Sequence, residues 1–96
     1  MFKIDLIDPS TVMLAGRFDA MQAQTAESML KNIEGDCVLD CRELEYISSA
    51  GIGVILAAYK RLNDQGCTLR MSNADNHIRQ VFRYAGLDKI LMGGEI

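Results

Sequence analysis

The segment Cys37–Leu62, CVLDCRELEYISSAGIGVILAAYKRL, decides the fold because two different apolar patterns follow each other in it. The run Cys37–Cys41 is short and apolar, which is typical of a central strand buried on both faces. We interpret Arg42–Ile47 as a connection. Apolar residues then recur at helical spacing at Ile52, Ile55, Leu56, Tyr59 and Leu62. A strand, a connection and a helix in this order indicate one unit of an α/β sheet.

Further strand and helix patterns flank this segment. The single proline, Pro9, separates Phe2–Ile7 from Thr11–Gly16, which predicts a hairpin. Glycines and cap residues divide the rest of the chain into a first helix from Asp19 to Gly35, the helix of the quoted segment ending at Gly66, a strand Cys67–Ser72, a helix from Asn73 or Asp75 to Gly86-Leu87, and a short strand Lys89–Met92. The predicted order is ββαβαβαβ. It indicates one domain over residues 1–96, with a mixed and mostly parallel sheet.

The composition narrows the class of protein. The chain has 96 residues, 49% of them hydrophobic, which suits one small globular domain. Its net charge of −3 argues against a nucleic-acid partner and against binding to an anionic membrane. The longest uncharged apolar run, Gly51–Tyr59, is about half the length of a bilayer span. The N-terminus has no signal-peptide pattern, so we expect a cytoplasmic protein.

The sulfur-containing and imidazole side chains do not form a pattern that indicates a metal or a cofactor. The cysteines are Cys37, Cys41 and Cys67, and the single histidine is His77. On one strand Cys37 and Cys41 would be roughly 13 Å apart, too far for a disulfide. We interpret the cysteines as small buried residues and the six methionines as core filler. The prediction is therefore no metal site and no cofactor.

The segment Ile47–Gly53 does not fit a catalytic or nucleotide-binding motif. A nucleophile elbow needs glycine two residues before its serine, and Ile47 stands there. Gly51 and Gly53 lack the third glycine of a dinucleotide site and the lysine of a P-loop. We expect Gly51 to allow a tight turn into the helix and Gly53 to allow close packing of the helix on the sheet. The sequence therefore does not predict an enzyme.

Two serines, Ser48 and Ser49, precede the apolar helix. Their simplest role is to cap it. The same position also faces the positive end of a helix dipole, where a phosphate is tolerated. A partner with an acidic or apolar surface over the same position would be repelled by that phosphate. A serine here can therefore control binding without a change of fold.

The chain strongly resembles bacterial anti-anti-sigma factors, which have the STAS fold. The resemblance is carried by the segment from Cys37 through Ile47-Ser48-Ser49-Ala50-Gly51-Ile52-Gly53, by Val81-Phe82 and by Gly86–Ile90. Upstream, Gly16-Arg17-Phe18-Asp19 is similar to the family's G-x-hydrophobic-D segment. These pieces occur in family order from about Ile4 to Met92.

The resemblance implies a function and a site. In its unphosphorylated form such a protein binds an anti-sigma factor with GHKL-type serine kinase activity and so releases the sigma factor. Phosphorylation ends that binding, and a PP2C-type phosphatase reverses it. In the family motif D-S-[S/T]-G-[L/I]-G the acceptor aligns with Ser49, while Ser48 replaces the aspartate and is an alternative acceptor. The implied partner-binding residues are Asp19, Ser48, Ala50, Gly51, Ile52 and Gly53. A STAS subunit of a transporter or lipid-trafficking complex, acting as an interaction module, is the alternative function.

Overall fold

The computed structural model describes residues 1–87. Over this range the strands are β1 (Phe2–Asp8), β2 (Thr11–Phe18), β3 (Cys37–Ile47) and β4 (Leu69–Ser72). The helices are a 3₁₀ turn (Ala20–Gln22), α1 (Ala23–Leu30), α2 (Ser49–Asp64) and α3 (Asn76–Tyr84). The sheet order is β1-β2-β3-β4, with β1 antiparallel to β2 and the other pairs parallel. The predicted α/β class and mixed sheet are confirmed. The predicted strand Lys89–Met92 lies outside the described residues.

The hairpin forms where Pro9 predicts it. The side chain of Asp8 accepts hydrogen bonds from the backbone N–H (2.9 Å) and the hydroxyl (3.1 Å) of Ser10. A short side chain that bonds the backbone two residues later stabilises a tight turn. β2 continues two residues beyond the predicted end at Gly16, to Phe18. This extension carries β2 alongside β3 as far as its last residue, Ile47.

The interpretation of Arg42–Ile47 as a connection is wrong, because β3 continues to Ile47. The charged side chains of this segment make its strand difficult to recognise in the sequence. Parallel pairing with β2 stabilises it, with Gly16 aligned to Leu44 and Phe18 to Ile47. Beside them the guanidinium of Arg17 lies 4.4 Å from the centre of the Tyr46 ring, a cation–π contact. Pairing over the full strand therefore outweighs the weak strand propensity of the segment.

One face of the sheet contributes to the core. Cys37, Leu39 and Cys41 of β3 are buried, whereas the alternating Val38 and Asp40 are only half-buried. The prediction that this strand is buried on both faces is therefore wrong. The buried strand residues belong to one cluster with residues of all three α-helices, among them Leu30, Ile55, Leu62, Ile78 and Phe82. The helices therefore cover the face of the sheet that carries the core.

The helix ends follow the predicted chemistry with one exception. Gly86 has a φ of +77°, its N–H donates to Arg83, and the Leu87 N–H donates to Phe82, which is the expected Schellman pattern. At the other end of α3, Asp75 is the N-cap. The first helix differs from the prediction, because α1 ends at Leu30 and Gly35 lies in the loop beyond it.

Candidate functional site

The candidate site lies at the carboxyl ends of β2 and β3, which leave the sheet side by side. Phe18 is aligned with Ile47, and the N–H of Ser48 donates to the carbonyl oxygen of Phe18 at 2.9 Å. Asp19 and Ser48 are therefore the next residues after the aligned pair Phe18 and Ile47, and they leave the sheet side by side. Loops at the carboxyl ends of parallel strands are the usual location of binding sites in α/β proteins. The structure thus brings together two predicted site residues that are 29 positions apart in the sequence.

Ser48 is the N-cap of α2. Its backbone is extended, with φ −87° and ψ 170°, and its hydroxyl oxygen accepts a hydrogen bond from the Gly51 N–H at 3.1 Å. Its carbonyl oxygen accepts the first helical bond, from Ile52, at 2.9 Å. The side chain is half-buried. The predicted cap role is confirmed for Ser48, and its hydroxyl is occupied by that role.

Ser49 is the first residue of α2 and is exposed. Within residues 1–87 its hydroxyl makes no hydrogen bond. Counting from the buried residues Gly51, Ile55, Ala58 and Leu62, position 49 lies on the opposite side of the helix. The two adjacent serines therefore differ: the hydroxyl of Ser48 is committed to the helix cap, whereas that of Ser49 is available to another protein.

Asp19 caps the 3₁₀ turn that precedes α1. Its backbone is extended, and one carboxylate oxygen accepts from the Met21 N–H at 3.1 Å. The side chain is half-buried, so part of it reaches the surface beside Ser48. The cap role that the sequence allowed for Asp19 is therefore present. A contact of Asp19 with a partner stays a prediction.

Met21 is an exposed apolar residue, although the interpretation of the methionines as core filler predicts that it is buried. Its side chain is 88% exposed, on the 3₁₀ turn that packs against α2. Met1 is also exposed, and among the described methionines only Met71 is fully buried. The interpretation of the methionines as core filler is therefore wrong in part. The sequence does contain an indication that Met21 is exposed. It lies two residues after the cap Asp19 and before the first residue of the helical apolar pattern, Ala26.

The two glycines of the motif have roles opposite to those predicted. A Cβ on Gly51 would lie 2.9 Å from a side-chain carbon of Ile47 and 3.1 Å from the ring of Phe18. Gly53 is exposed, and a Cβ there would meet nothing within 4 Å. Gly51 therefore allows the helix to approach the sheet, and neither glycine has a positive φ. The assignment of the turn to Gly51 and the close packing to Gly53 is wrong.

The start of α2 favours an anion. The helix has 16 residues, and its first turn contains no acidic side chain. The N–H groups of Ser49 and Ala50 precede the first helical hydrogen bond and have no acceptor within the helix. These groups and the helix dipole produce a positive potential at Ser49. The site can therefore hold a phosphate on Ser49 without a counter-ion from another side chain.

The described residues were also compared with the requirements of a metal site, a catalytic histidine and a membrane span. Across residues 1–87 no group of three or more His, Cys, Asp or Glu side chains is arranged to hold a metal ion. His77 is exposed in the first turn of α3, a different helix from the one that begins with the serines. In the same part of the chain, no helix has the length and apolar character to span a membrane.

Comparison with known proteins assigns the family. The family profile described as "Mlab, STAS domain" matches residues 7–93. The chain belongs to the STAS domain family. The curated "Anti-sigma F factor antagonist" of Paenibacillus polymyxa is 27% identical over 73 residues, which are 76% of this chain. This STAS domain spans 62% of the length of that relative.

Solved structures of SpoIIAA share the fold. The structure titled "Anti-Sigma Factor Antagonist SpoIIAA in its Unphosphorylated Form" has a TM-score of 0.77 at 18% identity, covering 96% of this chain and 86% of that one. The phosphorylated form of the Bacillus cell fate determinant SpoIIAA has a TM-score of 0.71 at 18% identity, with 96% and 89% coverage. The STAS fold predicted from the sequence is therefore confirmed.

Proposed function

We propose that this STAS domain is an anti-sigma factor antagonist that is switched by phosphorylation of Ser49. In its unphosphorylated form it binds an anti-sigma factor with GHKL-type serine kinase activity, so that the sigma factor is released. Phosphate transfer to Ser49 ends the complex, and a PP2C-type phosphatase restores it. The observation that carries the proposal is the exposed hydroxyl of Ser49, which makes no hydrogen bond to any of residues 1–87, beside the occupied hydroxyl of Ser48.

The charge of the phosphate explains the switch. A phosphoserine carries about −1.5 to −2 charges at neutral pH. In the free protein the start of α2 and the surrounding water stabilise this charge. In the complex the partner would cover Ser49 and remove that water, and an acidic or apolar contact surface would leave the charge uncompensated. Phosphorylation therefore weakens binding while the fold stays the same.

The proposed contact surface surrounds Ser49. Gly53 is exposed, and Asp19, Ser48, Ala50 and Ile52 are half-buried. Gly51 is buried, so its contribution is to hold α2 against the sheet rather than to contact the partner. We add Met21, whose exposed side chain on the adjacent 3₁₀ turn provides an apolar contact of the kind that interface cores contain.

The names of one relative and of one protein with the same fold support this proposal. The Paenibacillus polymyxa relative is named as an anti-sigma F factor antagonist, and SpoIIAA has been solved in both a phosphorylated and an unphosphorylated form. The difference from the family motif lies at Ser48, where the motif has aspartate. Ser48 accepts the same capping hydrogen bond that an aspartate would, so the cap is kept and one negative charge beside the acceptor is lost.

A binding titration tests the proposal. An anti-sigma factor with GHKL-type serine kinase activity from the same organism is titrated with the unmodified protein, with Ser49→Asp and with Ser28→Asp. Ser28 is exposed on α1 and controls for an added charge elsewhere. We expect Ser49→Asp to raise the Kd by about tenfold or more, because a like or uncompensated charge at an interface costs several kcal/mol. Equal affinities for the two variants would refute the role of Ser49.

The alternative function, a STAS subunit of a transporter or lipid-trafficking complex, is favoured by the departures from the motif at Ser48 and Ala50. Such a subunit would bind its partner through the same fold without a phosphoacceptor. In that case Ser49→Asp and Ser28→Asp would bind equally to an ATPase or permease partner, and the kinase would not bind at all. The titration therefore separates the two functions.

A further inference from the structure

The outer edge of β1 is open in the described part of the chain. β1 is the first strand of the sheet order, so β2 pairs with one of its edges only. The Met1 carbonyl oxygen accepts from the Arg17 N–H at 3.0 Å, and the register pairs Phe2 with Gly16. In an antiparallel pair such backbone bonds recur at every second residue. The backbone N–H and C=O groups of Lys3 and Asp5 are therefore directed to β2. The same groups of the even-numbered residues Phe2, Ile4 and Leu6 are directed away from it.

The side chains of β1 separate into two sets. Phe2 and Ile4 are half-buried against the core, with the Phe2 ring 4.7 Å from that of Phe18, and Leu6 is 51% exposed. On the other face Lys3 and Asp5 form an ion pair at 3.7 Å, with side chains 68% and 45% exposed. An open edge strand with exposed apolar side chains is prone to pair with another strand.

The sequence of β1 is self-complementary around Ile4. If two copies of the strand pair antiparallel with Ile4 opposite the partner's Ile4, Phe2 lies opposite the partner's Leu6. Lys3 then lies opposite the partner's Asp5, and the apolar and charged faces of the two copies match. The outward N–H and C=O groups of the even-numbered residues meet as hydrogen-bonded pairs. Lys3 and Asp5 occupy the alternate positions, where facing side chains approach most closely.

Two neighbouring registers would also let the outward N–H and C=O groups of the even-numbered residues meet, but both are unfavourable. Centring the pair on Lys3 places two ammonium groups opposite each other, and centring it on Asp5 places two carboxylates opposite each other. Like charges directly opposite in a sheet are destabilising. Charge complementarity therefore selects the register centred on Ile4.

We propose that the open edge of β1 binds a second copy of this chain, antiparallel and centred on Ile4, so that the two four-stranded sheets join into one. The interface is isologous, since each copy contributes the same strand. A contact of one strand is small, which places it among weak and reversible associations. This pairing is independent of the function proposed for Ser49.

Sedimentation equilibrium of the full chain, over protein concentrations from about 1 to about 500 µM, tests this dimer in a range suited to weak complexes. We expect the unmodified protein to dimerise. Lys3→Asp and Asp5→Lys should each weaken dimerisation by at least about tenfold, since each places like charges across the interface. Ile4→Pro should also prevent it, because it removes an outward N–H while the bonds to β2 remain.

Mixing the two charge variants provides the decisive control. The Lys3→Asp chain has two carboxylates at these positions and the Asp5→Lys chain has two ammonium groups, so an equimolar mixture should form a heterodimer. A double variant with both changes should dimerise like the unmodified protein. A monomer at all concentrations would overturn the proposal. So would a dimer that neither single variant weakens, or a mixture that associates no better than its components.

Discussion

The N–H of Ser48 donates to the carbonyl oxygen of Phe18 across 2.9 Å, so the start of α2 is attached to the end of β2. A second bond, from the Gly51 N–H to the Ser48 hydroxyl at 3.1 Å, fixes the first turn of the helix. Ser49 lies between these two attachments. Its position is thus set by the sheet, and its exposed side chain can be modified while the backbone around it stays in place.

The first prediction concerns the cap. Ser48→Ala should lower the free energy of unfolding by about 1 kcal/mol, because the Gly51 N–H loses its acceptor. Ser48→Asp should keep most of that stability, since a carboxylate accepts the same bond. Urea denaturation followed by circular dichroism measures both. If Ser48→Ala were as stable as the unmodified protein, the cap would have no energetic role.

The second prediction contrasts the two glycines. Gly51→Ala should destabilise the fold by about 1 to 3 kcal/mol, because its methyl group would overlap Ile47 and Phe18. Gly53→Ala should stabilise it by up to about 1 kcal/mol, since alanine favours the helix and the space is open. The midpoints of thermal unfolding should therefore shift in opposite directions. Shifts of the same sign would show that the packing around Gly51 is not limiting.

Much of this structure was predictable from the sequence, for identifiable reasons. The hairpin at Pro9, the cap at Ser48 and the helix stop at Gly86-Leu87 depend on residues within a few positions of each other. Local backbone chemistry determines such features. The family motif placed Ser49 at the start of a helix, and the structure has it there.

The features that the sequence did not predict depend on contacts between distant residues. Arg42–Ile47 forms a strand because β2 pairs with it, and no local pattern shows that pairing. The close contact at Gly51 arises from Ile47 and also from Phe18, which is 33 positions away. The exposure of Met21 follows from the 3₁₀ turn that Asp19 caps. Tertiary pairing of this kind commonly overrides local propensity.

The third prediction concerns the buried thiol of Cys37. Burial, with a smaller contribution from the charge of Asp8, raises the pKa of Cys37 to about 11 from its ordinary value of 9.0. The unfolded chain therefore ionises this thiol at a lower pH than the folded chain does. The stability that this group contributes is complete below pH 9.0 and is lost as the pH rises towards 11.

Urea denaturation at a series of pH values from 8 to 11 tests this effect on Cys37→Ala and on the unmodified protein. The loss of stability with rising pH should be smaller in the variant. At pH 8, alkylation followed by mass spectrometry should label the half-exposed Cys67 before Cys37. Labelling of Cys37 first would contradict the burial of its thiol.

The fourth prediction is that phosphorylation preserves the fold. Ser49 is on the exposed side of α2, at the end of the helix that favours an anion, so its phosphate displaces no core residue. The far-UV circular dichroism spectra of the modified and unmodified protein should therefore superimpose. A large loss of helical signal on modification would mean that the switch works by unfolding.

Intact mass spectrometry shows whether Ser49 is the residue that accepts the phosphate. The unmodified protein, Ser48→Ala and Ser49→Ala are each incubated with the GHKL-type kinase and ATP. We expect the mass of one phosphate to be added to the unmodified protein and to Ser48→Ala, and Ser49→Ala to stay unmodified. A phosphate on Ser49→Ala that is absent from Ser48→Ala would refute the role of Ser49 and assign the switch to Ser48.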